Sequence, residues 1–398
     1  MYSDYTERTD CIFCESKLSE TYFAGATTLG NSVAFDYNCP VAHYSVPLSY
    51  GERFVNIPFN VYKCSQCATL QNKYLGDMRE IYKINHADST GTTMMELHQT
   101  TRSILLKYSA DIKTGIVEIG SSLGILADLI IEKLPDVSYT IVEPCFNGTR
   151  ENKIIFDDFF ENVDNKNIQG NVLIISHVFE HFYKPLEILR KIRDCSSIDH
   201  FLLVFPDLEY YLNNNVYHVL NTEHTYYVDN DFLINQIERT LGFELIETIK
   251  YRNHSVIFYF RKIRLEKGLI KEVRREVEKV INIRSNGIDS YFREIFENVK
   301  KYNDIIENKK DTHSIYLFPA SIHSLNLTTF GLSNHFTGYV DNSIHKIGEK
   351  MYGTGKPIFN FAEIVGGNRP NTILFLNGGI FNSEIMNSIR EANNIVYY

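Results

Sequence analysis

The chain has 398 residues and a formal net charge of −9, with 44% hydrophobic and 22% charged residues. That length exceeds one ordinary hydrophobic core, so two or three domains are expected. The acidic balance argues against a general nucleic-acid binder, which needs a basic face. No apolar run approaches the ~20 residues of a membrane span, and Met1 to Arg8 lack the apolar core of a signal peptide. A cytoplasmic protein with no nucleic-acid or membrane partner is expected.

Two of the close cysteine spacings come first in the chain: Cys11-Ile-Phe-Cys14 and Cys64-Ser-Gln-Cys67. Two C-x-x-C turns offer four thiolates, enough to close a tetrahedral zinc site. A closed four-sulfur site has no open position, so zinc there is structural. Seven cysteines in a cytoplasmic chain fit a metal better than a disulfide framework. Between the pairs, Pro40, Pro47 and Pro58 punctuate short strands and turns, and Cys39 is the one rival ligand. Cys145 and Cys195 read as small buried hydrophobes.

A polar turn from Asn85 to Thr93 precedes a helix expected from about Met94 to Tyr108, its hydroxyls marking an N-cap. Residues 81–110 are expected to form the lid or entry of a nucleotide site. The stretch Ile116-Val-Glu-Ile-Gly-Ser-Ser-Leu-Gly-Ile-Leu126 then reads as a strand passing into a helix over glycines. Such a turn lets backbone N–H groups approach a ligand closely. Tyr139-Thr-Ile-Val-Glu143 is a second strand ending in a carboxylate placed for ribose hydroxyls. Only Gly120 and Gly124 remain of a G-x-G-x-x-G fingerprint. With Glu118 inside the first strand, the pattern fits an S-adenosylmethionine (SAM) site better than a dinucleotide site.

Strand and helix then alternate. Strands are expected at 153–156, 171–176 and 200–206, with helices over 178–195 and 232–241 and paired strands at 242–251 and 254–260. Buried parallel-type runs in a βα alternation predict a doubly wound sheet. His177 and His181, read as i and i+4 on one helix face, lie at the end of the fourth strand, the ligand edge of such a sheet. Residues 262–309 read as a charged helical connector. From 313 a second α/β unit follows, with strands at 314–318, 336–341, 371–376 and 394–398 and a helix from Ser383. The expected division is residues 1–80, 81–262 and 263–398.

The order of these pieces resembles the three-domain, zinc-containing sugar C-methyltransferases that act on nucleotide-linked keto-deoxysugars. The resemblance covers nearly the whole chain. Cys64-Ser-Gln-Cys67-Ala-Thr-Leu-Gln71 resembles the family's second zinc knuckle, and Gly91-Thr-Thr-Met-Met-Glu-Leu-His98 the opening of its catalytic domain. Val117 to Gly124 and Ile141-Val-Glu-Pro144 resemble its SAM motifs, and Asp341, Lys346 and Gly348 its C-terminal D-x-x-x-x-K-x-G stretch. The resemblance implies an α/β protein with three parts: an N-terminal zinc-binding domain, a class I methyltransferase (Rossmann-like) domain and a C-terminal Rossmann-like α/β domain.

The implied reaction removes a proton beside a ketone, after which the enolate carbon takes the SAM methyl. A base near neutral pKa, a donor for the enolate oxygen and in-line positioning are needed. The family's Glu-His pair falls on Glu223 and His224, which makes His224 the expected base and Glu223 its orienting carboxylate. His181 is expected near the substrate and His177 near the cofactor. The expected cofactor set is Glu118, Gly120, Ser121, Gly124, Glu143 and His177, and the expected zinc ligands are Cys11, Cys14, Cys64 and Cys67. The protein is expected to be a monomer or a homodimer.

The chain also departs from that family. Ser122-Leu123-Gly124 replaces Asn-Asp-Gly, Asn221 and Ala87 stand where tyrosines are usual, and His323 replaces a lysine that contacts the sugar nucleotide. His86, Tyr217 or Tyr226 are candidates to replace the lost tyrosines. The alternatives are methylation of a sugar hydroxyl or amine, or a non-catalytic sugar-nucleotide-binding scaffold.

Overall fold

The structure is a computed structural model. It describes residues 5–18, 21–24, 32–36, 54–58, 60–82, 92–214, 219, 223–252, 254–263, 285–321, 324, 327–328, 330–342, 346–351, 354–366, 371–377, 386 and 395–397.

Seven short strands open the chain: β1 (Tyr5–Glu7), β2 (Thr21–Ala24), β3 (Ser32–Asp36), β4 (Phe54–Pro58), β5 (Asn60–Lys63), β6 (Leu70–Asn72) and β7 (Tyr74–Gly76). All their pairings are antiparallel: β1 with β7, β3 with β4, and β2, β5 and β6 side by side. One cysteine pair sits in the turn after β1 and the other in the turn joining β5 to β6. Helices α1 (Met78–Ile81) and α2 (Thr92–Lys107) follow.

The next elements are β8 (Ile116–Ile119), α3 (Ile125–Ile131), β9 (Tyr139–Val142), β10 (Ile154–Phe156), β11 (Val172–Ser176), α4 (Pro185–Asp194), β12 (His200–Pro206) and α5 (Leu208–Asn213). After them come β13 (Tyr226–Tyr227), α6 (Asn230–Leu241), β14 (Phe243–Tyr251) and β15 (Ser255–Lys262). Seven of these strands form one sheet in the order β10-β9-β8-β11-β12-β15-β14. The first five are parallel, and β15 runs antiparallel to both of its neighbours.

Alternation along each strand feeds two separate cores, as period-2 side-chain direction requires. Ile116, Ile141, Ile174, Val204 and Ile257 face α2 and α3, while Val117, Val142, Ile175, Phe205 and Phe258 face α4 and α6. All seven residues of β12 are buried because it has strand neighbours on both sides and helices on both faces. The termini of α6 follow local rules: the Asp229 carboxylate accepts from Phe232 N at 2.8 Å, and Gly242 ends the helix at φ +70°. This strand order, with an antiparallel seventh strand inserted beside the fifth, is the sheet of the class I methyltransferase fold.

One expected helix differs. Residues 178–195 are not a single helix: a 3-10 turn covers Phe179–His181, Phe182 is extended, and α4 begins only at Pro185. Proline suits the first helical turn and disfavours helix before it. His177 and His181 therefore do not share a helix face.

The rest of the chain supplies α7 (Ser285–Lys309), β16 (Ser314–Phe318), β17 (Gly338–Asp341), β18 (Ile358–Asn360), α8 (Phe361–Gly366), β19 (Thr372–Leu376) and β20 (Ile395–Tyr397). The five strands are all parallel in the order β18-β17-β16-β19-β20, a second Rossmann-like sheet. Of the helix expected from Ser383, the described residues include only Met386, which is helical. Among the described residues no helix is long and apolar enough to cross a membrane.

The parts share structure. Strand β13, from the chain between α5 and α6, pairs with β6 of the N-terminal sheet (Tyr226 with Gln71, Tyr227 with Leu70). Arg8 lies beneath this junction, 7% exposed. Its guanidinium donates to Asn72 O at 3.2 Å, Thr225 O at 2.9 Å and Tyr183 O at 3.0 Å. Burial lowers its pKa to about 10, so it stays charged at neutral pH. One core cluster joins Val61 and Leu70, Leu208 and Tyr211, and Ile295, Val299 and Ile306 on one face of α7. Replacing the guanidinium by a side chain of similar reach leaves three buried carbonyls without that donor. Arg8→Met is expected to lower unfolding free energy by about 3 kcal/mol, read as a shifted urea midpoint.

Candidate functional site

The four paired cysteines converge. One sulfur from each of Cys11, Cys14, Cys64 and Cys67 lies within 4.8 Å of the others. The Cys11–Cys67 and Cys14–Cys64 Sγ separations are 3.5 and 3.4 Å, close to the ~3.8 Å edge of a tetrahedron with ~2.3 Å zinc–sulfur bonds. The two turns repeat one geometry. Cys11 N donates to Ser16 O and Glu15 N to Cys11 O; Cys64 N donates to Thr69 O and Ala68 N to Cys64 O. Glu15 and Ala68 occupy the same place in their turns at φ 58° and 57°. The Cys11 and Cys67 sulfurs lie in hydrogen-bond contact, which lowers the Cys11 pKa and raises that of Cys67. Four soft donors at these separations fit zinc. Cys39 lies outside the described residues, and Cys195 is buried, as a small hydrophobe should be.

The glycine turn sits at the C-terminal end of β8. Gly120 has φ +74°, and a Cβ there would lie 2.2 Å from Val178 Cγ2, so the turn closes against the residue after His177. Gly124, also at φ +74°, is the N-cap of α3. The Glu143 carboxylate, just past β9, accepts from Ser122 N at 3.1 Å and Cys145 N at 3.0 Å. That fixes it beside the turn. Ser121 Oγ is buried with no protein partner. An orphaned hydroxyl beside an anchored carboxylate fits the polar end and ribose of SAM. Glu118 lies within β8, 3% exposed, accepting from Tyr139 OH at 2.8 Å. Burial raises its pKa to about 7.

A second polar group gathers past the end of β11. Glu180, 1% exposed, contributes a carboxylate oxygen within 4.8 Å of a nitrogen from each of His181 and His224. The rings of His181 and His224 meet edge to face with centroids 5.0 Å apart. His224 arrives from a distant part of the chain because Thr225 N donates to Glu180 O at 2.9 Å and Asn72 Nδ2 to His224 O at 2.8 Å. Its Nδ1 bonds Val219 O at 3.0 Å, and burial lowers its pKa despite the nearby Glu180 and Glu223 carboxylates. His181 Nδ1 bonds Tyr82 OH at 2.7 Å. His177, at φ 52°, is placed by its own N–H donating to Val204 O of β12. Its Nδ1 lies 3.3 Å from Glu180 Oε1 and its Nε2 2.8 Å from Ser255 Oγ. Burial pushes His177 down to about 4.

The structure thus brings Glu180, His181 and His224 together, with Glu223 next to His224 in the chain, and places Glu118, Gly120, Ser121, Gly124 and Glu143 around one turn. His177 lies between Glu180 and Ser255. Tyr226 does not reach the cluster: it is 1% exposed and donates to Phe179 O at 2.6 Å as part of the core. Tyr217, His86, Ala87, Asn221 and His323 lie outside the described residues. Tyr82 and Glu180 are additions. Glu180 stands between His177 and His181 in the sequence, but its role depends on a pairing with His224 that no local pattern reveals. Asp341 and Lys346 form a buried pair at 2.8 Å, with Lys346 Nζ also donating to Ala320 O at 2.9 Å. In this chain that stretch ties the loops after β16 and β17 together.

No family model matches the chain, and no curated protein matches it. Solved structures do. One is a 1,6-didemethyltoxoflavin-N1-methyltransferase from Burkholderia thailandensis with S-adenosylhomocysteine bound, at 10% identity over 42% of this chain and 77% of that one, TM-score 0.34. Another is a magnesium protoporphyrin IX methyltransferase from Synechocystis, at 9% identity over 43% and 84%, TM-score 0.33. A third is the N-terminal domain of EvdMO1 in the presence of S-adenosylhomocysteine and D-fucose, at 12% identity over 42% and 82%, TM-score 0.30. The fold assignment rests on the strand order given above.

Two measurements check the local chemistry. Elemental analysis is expected to find one zinc per chain at the cysteine cluster, and Cys64→Ser to lose it together with thermal stability. For Glu118, the folded pKa of about 7 exceeds the unfolded value of 4.5. Its contribution is therefore fully present below about pH 4.5 and lost as pH rises through 7, a change of about 3 kcal/mol. Glu118→Gln is expected to remove that loss. Urea unfolding at pH 5 and pH 8, without ligand, should show wild type losing more stability than the variant across the interval.

Proposed function

We propose that this chain is a SAM-dependent C-methyltransferase acting on a nucleotide-linked keto-deoxysugar. The observation that carries the reading is the convergence of two groups at one edge of the seven-stranded sheet. The glycine turn with Glu143 follows β8 and β9, and the Glu180–His181–His224 cluster follows β11. Open α/β sheets bind ligands at that edge.

When bound, SAM supplies an electrophilic methyl group on a sulfonium. The turn from Gly120 to Gly124 holds its backbone against Val178 and leaves room for the cofactor. Ser121 and Glu143 orient it, Glu143 through the ribose hydroxyls, and Glu118 braces β8 through Tyr139. His177 supports the site by fixing Glu180. The Glu223–His224 pair takes the proton from the carbon beside the ketone. His181, held by Tyr82, meets the ketone oxygen. The C-terminal parallel sheet holds the nucleotide, and the cysteine cluster holds structural zinc. With a sugar hydroxyl or amine as acceptor, the same pair would take the proton from oxygen or nitrogen.

Calorimetry with purified protein is expected to give micromolar SAM and S-adenosylhomocysteine binding, about −8 kcal/mol. Glu143→Ala should weaken it roughly tenfold or more through loss of a charge-assisted contact. Labelled methyl transfer to a panel of keto-sugar nucleotides is expected to appear on carbon. His224→Asn should cut that transfer at least ~100-fold with SAM binding unchanged. A product methylated on oxygen or nitrogen would change the acceptor class. Tight sugar-nucleotide binding with no transfer to any acceptor would leave a binding scaffold.

A further inference from the structure

We propose that Glu180, His181 and His224 form a second metal site, distinct from the cysteine cluster, that takes one divalent first-row transition cation. The three residues present ligand atoms all within 4.8 Å of one another. From that spacing, modest side-chain rotation brings two imidazole nitrogens and a carboxylate oxygen to ~2.1 Å of a common centre. Two histidines and one carboxylate are the donor set of open, reactive metal sites, with positions left for a ligand.

An independent observation points the same way. Glu180 is 1% exposed, yet its Oε2 is buried with no hydrogen-bond partner. Its other oxygen lies 3.3 Å from Nδ1 of His177. A buried carboxylate oxygen without a donor is costly, and buried charges are paired or coordinate metals. Among the described residues, no lysine or arginine bonds the Glu180 carboxylate. A cation at the centre of the three groups supplies the missing partner.

The surroundings are those of oriented ligands. Val219 O can only accept, so His224 donates from Nδ1 and its tautomer places the lone pair at Nε2. His181 is fixed through Nδ1 by Tyr82 OH at 2.7 Å. Glu180 is fixed by His177, which Ser255 holds in turn at 2.8 Å. Each proposed ligand thus has a further hydrogen-bond partner, which sets its orientation and basicity. The backbone bond from Thr225 N to Glu180 O keeps the two chain segments in register.

The inference rests on the proposed function only for its purpose: the open positions face the ligand edge, where a carbonyl oxygen of the acceptor can bind. In the metal-bound state His224 is a ligand, and the adjacent Glu223 carboxylate is the member of the pair that takes the proton.

The test needs neither SAM nor acceptor, so its failure and the failure of methyl transfer are separate results. Full-length protein with zinc already in the cysteine cluster is titrated with Co(II), followed by calorimetry and visible absorption. The expected result is one further equivalent, with the absorption of nitrogen and oxygen ligation and no thiolate charge-transfer band. Glu180→Gln and His181→Gln are each expected to weaken that binding more than roughly 100-fold while one zinc stays bound. Glu223→Gln is expected to retain it. Should Glu180→Gln lose its zinc or its cooperative melt, the half-buried His181 variant decides the matter. The proposal is overturned if wild type takes up no second equivalent, if the new band is that of cobalt–thiolate, or if the folded variants bind cobalt as wild type does.

Discussion

The segment from Glu223 to Tyr227 is held from two sides, and the reacting edge exists because of it. On one side, Thr225 and Tyr226 bond the carbonyls of Glu180 and Phe179. On the other, β13 pairs with β6, Asn72 holds His224 O, and the buried Arg8 guanidinium gathers three carbonyls from three distant stretches. A charged donor serving several buried carbonyls is worth more than neutral bonds of the same number. Each contact crosses between chain regions far apart in sequence. The cysteine turns keep β5 and β6 in place, so the N-terminal module acts as a bracket for a histidine belonging to another domain.

The site's electrostatics follow from that construction. His177 and His224 sit where burial disfavours the charged imidazole. His177 is held neutral, and His224 is shifted the same way. Neutral imidazoles serve as proton acceptors or metal ligands, and both uses depend on which nitrogen carries hydrogen. The carbonyl of Val219 settles that for His224. The glycine turn solves a different problem: a positive-φ residue packed against Val178 excludes every side chain but hydrogen at position 120.

Much of this was legible in the sequence, and the reasons are physical. Buried strands such as Val172–Ser176 and His200–Pro206 announce themselves as apolar runs, because both sheet faces are covered. The cysteine spacings encode their own geometry, since each turn closes through local hydrogen bonds. The failure at 178–195 came from reading apolar spacing as helix through a segment that Pro185 and the extended Phe182 interrupt. Tyr82 and Glu180 stayed hidden for a different reason. Their importance lies in long-range contacts with His181 and His224, and the intended substitute, Tyr226, spends its hydroxyl inside the core.

Strand β13 has only two residues and belongs to the N-terminal sheet, paired with β6, not to the seven-stranded one. A fragment beginning near residue 81 would contain every strand of the seven-stranded sheet and every residue of the glycine turn. It would nevertheless leave Tyr226 and Tyr227 without their β6 partner and His224 without the Asn72 bond that helps to set its place. The limits of the sheet and of the working unit therefore do not coincide. Any natural recombination that exchanged the N-terminal module would also alter the geometry of the edge, so the two parts are constrained to change together.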